Sequence, residues 1–156
     1  MKTPQEYIRM ATQLAMENID HGGGPFGAVI VKDGKVIATG VNRVTLGHDP
    51  TAHAEVQAIR AACQALGTFS LEGCAIYASC EPCPMCLGAI YWARISHLYY
   101  GCTQQDADKI DFSDAFIYKE IALPQSERAL PHINVGREEA LAAFEKWKNK
   151  EDKIAY

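Results

Sequence analysis

The sequence lacks any apolar run near the roughly 18 residues that a membrane-spanning helix requires, so no membrane segment is expected. Its N-terminus lacks the basic, apolar and small-residue regions of a secretory signal, and a cytoplasmic location is expected. It has no internal repeat and no low-complexity stretch. A hydrophobic share of 48% leaves no sign of disorder and is enough to build a core in one domain of 156 residues. Positive charge is not in excess. Lys and Arg number 15 against 19 Asp and Glu, for a net charge of −4, and the isoelectric point lies near 5.7. Binding to a polynucleotide usually needs a basic stripe, and none is visible. Lys146, Lys148, Lys150 and Lys153 alternate with acids late in an expected helix, where they complement its dipole. A small neutral ligand suits this balance better than RNA, DNA or a membrane. An iron–sulfur run is also missing. Cys80, Cys83 and Cys86 would open one, but Ile90 stands where its fourth cysteine falls.

The six cysteines without a secretory signal point to a reducing compartment and to metal or core roles. His53-Ala54-Glu55 and Pro82-Cys83-Pro84-Met85-Cys86 carry the chemistry. His53, Cys83 and Cys86 supply one imidazole and two thiolates, a donor set that zinc prefers. Three protein ligands leave a tetrahedral zinc one open position for water, whose pKa the ion lowers to about 7. Glu55 is not needed as a ligand and is placed to carry protons. A lone C-x-x-C fits a redox pair or half a structural zinc site equally well. The paired elements constrain one another, because a helix and a strand fit between them. Cys80 as a fourth ligand would close the site and leave Glu55 without a role. Cys63, Cys74 and Cys102 read as small core or near-core residues.

Thr3-Pro4-Gln5-Glu6 predicts a capping box and a helix whose apolar face is Tyr7, Ile8, Ala11, Leu14, Ala15 and Ile19, ended by Gly22-Gly23-Gly24. Residues 26–31 and 35–41 flank Asp33-Gly34 and predict a β-hairpin with a tight turn. A loop over 43–50, a helix over 51–66, a strand over 75–79, a helix from Pro82 to Arg94 and a strand over 96–100 follow. The segment 103–130 is less legible. Residues 132–135 are expected as a last short strand and 137–148 as a helix with Leu141, Phe144 and Trp147 inward. Strands alternating with helices predict a layered α/β domain. His53 and Glu55 converge on the metal only if it sits off helix N-termini, whose positive ends then favour thiolates and hydroxide.

The H-x-E…P-C-x-x-C arrangement is the signature of zinc-dependent nucleobase deaminases. On it, and on Gly24-Pro25-Phe26-Gly27-Ala28, Asn42, Pro50 to Glu55, Cys80 to Trp92 and Phe112 to Glu120, the whole chain resembles the cytidine deaminase-like superfamily. Within it, the chain most resembles the compact bacterial guanine deaminases. The resemblance implies a three-layer α/β/α sandwich with a mixed five-stranded sheet, strand order 2-1-3-4-5, the first strand antiparallel. It implies one Zn2+ per chain and a purine base as partner. It implies that Asn42 hydrogen-bonds the base, Phe26 and Trp92 wall it, and the backbone of Ala54 lies at the pocket floor. Asp114 would be a second catalytic carboxylate beside Glu55, and Tyr156 would close the site. It further implies a homodimer in which the C-terminal helix and tail, 137–156, are exchanged.

The residues alone leave other readings open. Asn42 at a strand end also starts a turn, and Phe26 and Trp92 also suit a core. Sequence pattern does not choose among Asp106, Asp108, Asp111 and Asp114, and a terminal Tyr156 by default frays. His21, His48, His97 and His132 lack partner spacing and read as surface or loop residues. Deaminases of guanosine, cytosine or an aminotriazine, a tRNA adenosine deaminase, and an inactive zinc-stabilised module share parts of the pattern.

Overall fold

Thr3 starts the first helix as expected. Its hydroxyl accepts the Glu6 N–H at 3.2 Å, and the Glu6 carboxylate accepts the Thr3 N–H at 2.6 Å. In this computed structural model, which describes residues Met1–Tyr156, helix α1 spans Pro4–Asp20. It buries Tyr7, Ala11 and Ala15. Ile19, expected on that face, is 52% exposed, and Asn18 is buried in its place. Strands β1 (Gly27–Lys32) and β2 (Lys35–Val41) form the hairpin. Asp33 and Gly34 both take positive φ, 50° and 75°, as a tight hairpin turn demands.

The loop after β2 contains a short helix α2 (Val44–Gly47), followed by α3 (Ala54–Leu66), β3 (Cys74–Cys80), α4 (Pro84–Trp92) and β4 (His97–Cys102). The less legible segment holds α5 (Gln104–Asp108), α6 (Ala115–Ala122) and a 3-10 turn at Gln125–Glu127, before α7 (Arg137–Lys148). The chain divides into two compact units, residues 1–118 and 119–156.

In the first unit, the sheet order is β2-β1-β3-β4. β1 runs antiparallel to β2 and β3, and β3 parallel to β4. Alternation along β1 and β3 makes two cores. Val29, Val31 and Tyr77 pack with Tyr7 and Ala11 of α1. Ala28, Ile30 and Ile76 pack with Ala54, Ala58 and Ala62 of α3 and Ile90 of α4. This is the three-layer α/β/α arrangement with a mixed sheet, but with four strands instead of five. Residues 132–135 form no strand. Ile133 and Val135 alternate as a strand's side chains do, yet both are 84% exposed and pair with no neighbour. A strand needs a partner edge, which alternation cannot supply.

Candidate active site

Helices α3 and α4 both begin at the candidate metal ligands. His53 is the N-cap of α3, with φ −69° and ψ 156°. Cys83 is the N-cap of α4, with φ −67° and ψ 168°. The second follows from sequence, since a residue before proline avoids the helical region, and Pro84 fits the first helical position. That is why α4 begins at Pro84 and not at Pro82. Neither side chain caps its own helix. Cys86, one turn into α4, brings its sulfur to the same point.

The nitrogen and sulfur ligand atoms of His53, Cys83 and Cys86 lie within 4.8 Å of one another. His53 Nδ1 is 3.5 Å from Cys83 Sγ and 3.4 Å from Cys86 Sγ. Tetrahedral zinc, with bonds of about 2.3 Å to sulfur and about 2.0 Å to nitrogen, sets such atoms about 3.5 Å apart. The spacing and the donor set therefore fit zinc. Hydrogen bonds from Cys86 and His53 hold the Cys83 thiol well below its ordinary pKa. The same contact, with burial, pushes Cys86 up, and Cys83 raises His53. One sulfur thus takes the negative charge readily, and a bound dication would deprotonate both.

Glu55, in the first turn of α3, is 6% exposed and opens onto a cavity of about 510 Å³. Burial raises its pKa. The volume suits a small molecule. Gly24, Phe26, Asn42, Phe112 and Asp114 share the walls with the ligands His53 and Cys83. Phe26 and Phe112 meet edge to face, centroids 4.9 Å apart. Asp114 is the aspartate that pattern could not single out. Its Oδ1 is buried without a hydrogen-bond partner, and burial raises its pKa. Asp106 instead caps α5. Asn42 makes the turn that its strand-end position allows and also faces the cavity. Its Oδ1 accepts the Val44 N–H at 3.1 Å, a turn contact, and the residue lines the cavity.

Ala54 is fully buried between His53 and Glu55 but does not line the cavity. Trp92 ends α4, 63% exposed and outside the cavity wall. Tyr156 belongs to the second unit and is 73% exposed. Sequence reasoning missed three supports. Asn18 donates from Nδ2 to the Gly24 and Asn42 carbonyls at 2.9 and 2.8 Å. Glu81 and Tyr118 bond to segments that frame the cavity. A polar residue on the inner stripe of α1 was the signal for Asn18. Tyr118, one turn after Asp114, was the signal for the last.

A model of the cytidine and deoxycytidylate deaminase zinc-binding region matches residues 1–102. The chain belongs to this deaminase family. Across 97% of its length it is 52% identical to 98% of the guanine deaminase of Bacillus subtilis (strain 168). The X-ray structure of that guanine deaminase superposes with a TM-score of 0.96, covering 100% of this chain and 99% of that one. Guanine deaminase from Nitrosomonas europaea superposes at 0.71, with 32% identity over 73% of this chain and 66% of that one. A tRNA-specific adenosine deaminase of Agrobacterium fabrum (strain C58) is 54% identical, but over 49% of this chain and 51% of its own. Membership of the deaminase family accounts for the three-ligand site beside a buried glutamate.

Proposed function

We propose that this chain is a zinc-dependent guanine deaminase, converting guanine and water to xanthine and ammonia. The observation that carries the reading is the pairing, in one cavity, of Glu55 with the partnerless buried Asp114 Oδ1, beside a zinc-type ligand set. The full-length likeness to a guanine deaminase supports the substrate. His53, Cys83 and Cys86 would hold the zinc, which when bound would supply a Lewis acid able to make water nucleophilic at neutral pH. Glu55 takes one water proton and delivers it to a ring nitrogen as oxygen adds at C2; it then takes the proton of the new C2 hydroxyl and gives it to the amine, which leaves as ammonia while the C2 carbonyl of xanthine forms. The Asp114 carboxylate accepts a hydrogen bond from the 2-amino group. Asn42, its Oδ1 engaged by Val44, turns its amide NH2 to a ring acceptor. Phe26 and Phe112, packed edge to face, supply an apolar wall against the base.

The same reading makes the protein a homodimer with exchanged C-terminal segments, Tyr156 and Trp92 completing sites in that assembly. Two faces support it. Helix α4 has no charged residue, yet Tyr91 and Trp92 are 73% and 63% exposed. Helix α7 exposes Phe144 and Trp147 by 73% and 45%. The six free thiols suit the cytoplasm, and no helix is long and apolar enough to cross a membrane. A panel of guanine, guanosine, adenine, cytosine and a tRNA anticodon arm, read by ammonia release, tests the substrate. Guanine is expected to react fastest, and a faster cytosine or tRNA arm overturns the reading. Asp114→Asn is expected to lower turnover far more than zinc content.

A further inference from the structure

We infer that Glu81 and Tyr118 are positioning residues that fasten the Asp114 side of the cavity to the loop bearing Cys83. The substrate in this inference rests on the guanine reading; the fastening itself does not.

One wall of the cavity comes from the segment after β4, including Phe112 and Asp114. That segment has little to hold it in place. Between Thr103 and Tyr118 only Ala107 is buried. Its helix α5 has five residues, too few to persist unaided. Residues 109–114 lie in no helix or strand. Yet Asp114 must sit at a fixed distance from the metal ligands to act on the same small molecule as Glu55, and catalytic groups need placement to about 0.5 Å.

Two short polar ties supply that placement. Upstream, the Glu81 carboxylate accepts two hydrogen bonds from Gln104 at the start of α5. The backbone N–H donates at 3.1 Å and Nε2 at 3.0 Å. The Glu81 N–H in turn donates to the Cys102 carbonyl at 2.8 Å. Downstream, the Tyr118 hydroxyl donates to the Pro82 carbonyl at 2.8 Å. Tyr118 N–H also donates to the Asp114 carbonyl at 3.1 Å, so the tie reaches Asp114 through one helical turn. Both ties end on adjacent residues, Glu81 and Pro82, immediately before Cys83. The segment bearing Asp114 is therefore pinned at both ends to the metal-binding loop. Burial pushes the Tyr118 hydroxyl up to about 12, so it remains a donor at neutral pH.

Ordinary stabilising bonds and positioning bonds make different predictions. Tyr118→Phe and Glu81→Met, which removes both acceptors, test them, each measured for zinc content, for hydrogen exchange of the amides of residues 104–118, and for kcat and KM with guanine. In both variants zinc is expected to stay at one per chain, exchange at Phe112 and Asp114 to accelerate, and kcat/KM to fall about 10- to 100-fold. Glu81→Gln keeps both bonds, since its Oε1 accepts the Gln104 N–H and its Nε2 donates to the Gln104 Oε1 once that amide turns over, and it is expected to retain most of the activity. In an Asp114→Asn background, Tyr118→Phe is expected to change kcat/KM little further, because the residue acts through Asp114. Unchanged exchange and kinetics in both Tyr118→Phe and Glu81→Met overturn the inference. Loss of zinc in step with activity overturns it too, since the ties would then serve the metal loop alone. Failure of the parent protein to deaminate guanine would overturn the substrate reading, and hydrogen exchange alone would then decide the fastening.

Discussion

His53 and Cys83 hold N-cap positions without capping, and this leaves a mark on stability. Serine caps a helix better than cysteine, but Cys83→Ser also gives up the sulfur's contacts with His53 Nδ1 and with Cys86. Cys83→Ser is therefore expected to lie within about 1 kcal/mol of the parent when both are held in chelator, and to be less stable when both are supplied with zinc, because bound metal stabilises the parent by mass action. Urea unfolding in the two conditions checks both expectations. Glu55→Gln separates metal from proton transfer. It is expected to retain zinc and lose turnover by about 10²–10⁴-fold, measured by metal analysis and ammonia release. The candidate ligands and the buried glutamate beside them were legible in sequence because metal chemistry demands residue types at tight spacing. Asp114 was not legible without resemblance to relatives. Its distinction from Asp106, Asp108 and Asp111 is an oxygen buried without a partner, a property of three-dimensional packing.

At the scale of elements, α3 delivers His53 and Glu55 only because it lies hard against β2. A Cβ added at Gly40 would collide with the backbone of α3 at the Ala54 oxygen and the Ala58 nitrogen. A flexible side chain can move aside, but a helix backbone must shift as a body. Gly40→Ala is expected to cost about 1–3 kcal/mol and to depress activity, with denaturant unfolding and turnover as the measures. Capping boxes give a pH signature. The Asp106 carboxylate accepts the Thr103 N–H at 2.9 Å, and that bond lowers its pKa. A lowered carboxylate contributes above the ordinary carboxylate range and loses its contribution as pH falls through the lowered value. Protection of the amides in the first turn of α5, taken relative to their intrinsic exchange rate at each pH, is therefore expected to fall on acidification through that lowered value, and not on raising the pH. The hairpin and α1 were legible because turn and capping residues act locally. The helix expected over 51–66 starts instead at Ala54, because Asp49 Oδ1 closes a turn on the Thr51 N–H at 2.8 Å. Helix α5 was invisible, since five residues carry no periodic signal.

At the scale of the molecule, the expected fifth strand marks where local pattern stops being informative. Residues 132–135 have the alternation of a strand, but pairing is a long-range event that the pattern does not specify. The outer edge of β4 carries no strand, and Tyr99 and Tyr100 on it are 37% and 48% exposed. An open edge of this kind favours pairing with another chain. In the second unit, Leu130, Phe144 and Tyr156 are each more than 70% exposed. Exchange of identical segments between two copies is a low-cost way to cover such surfaces, and closing the site would exclude water from the reaction. Complementation tests whether the tail acts on its own site or on its neighbour's. One parent is Glu55→Gln with an intact tail; the other keeps Glu55 but lacks residues 149–156. Each is expected to be nearly inactive alone, and the two are unfolded and refolded together. With the tail acting in trans, a heterodimer has one site that combines Glu55 with a tail, so activity reappears in proportion to the heterodimer fraction. With the tail acting in cis, no site combines them, and a mixture as inactive as its parents rules out the exchange.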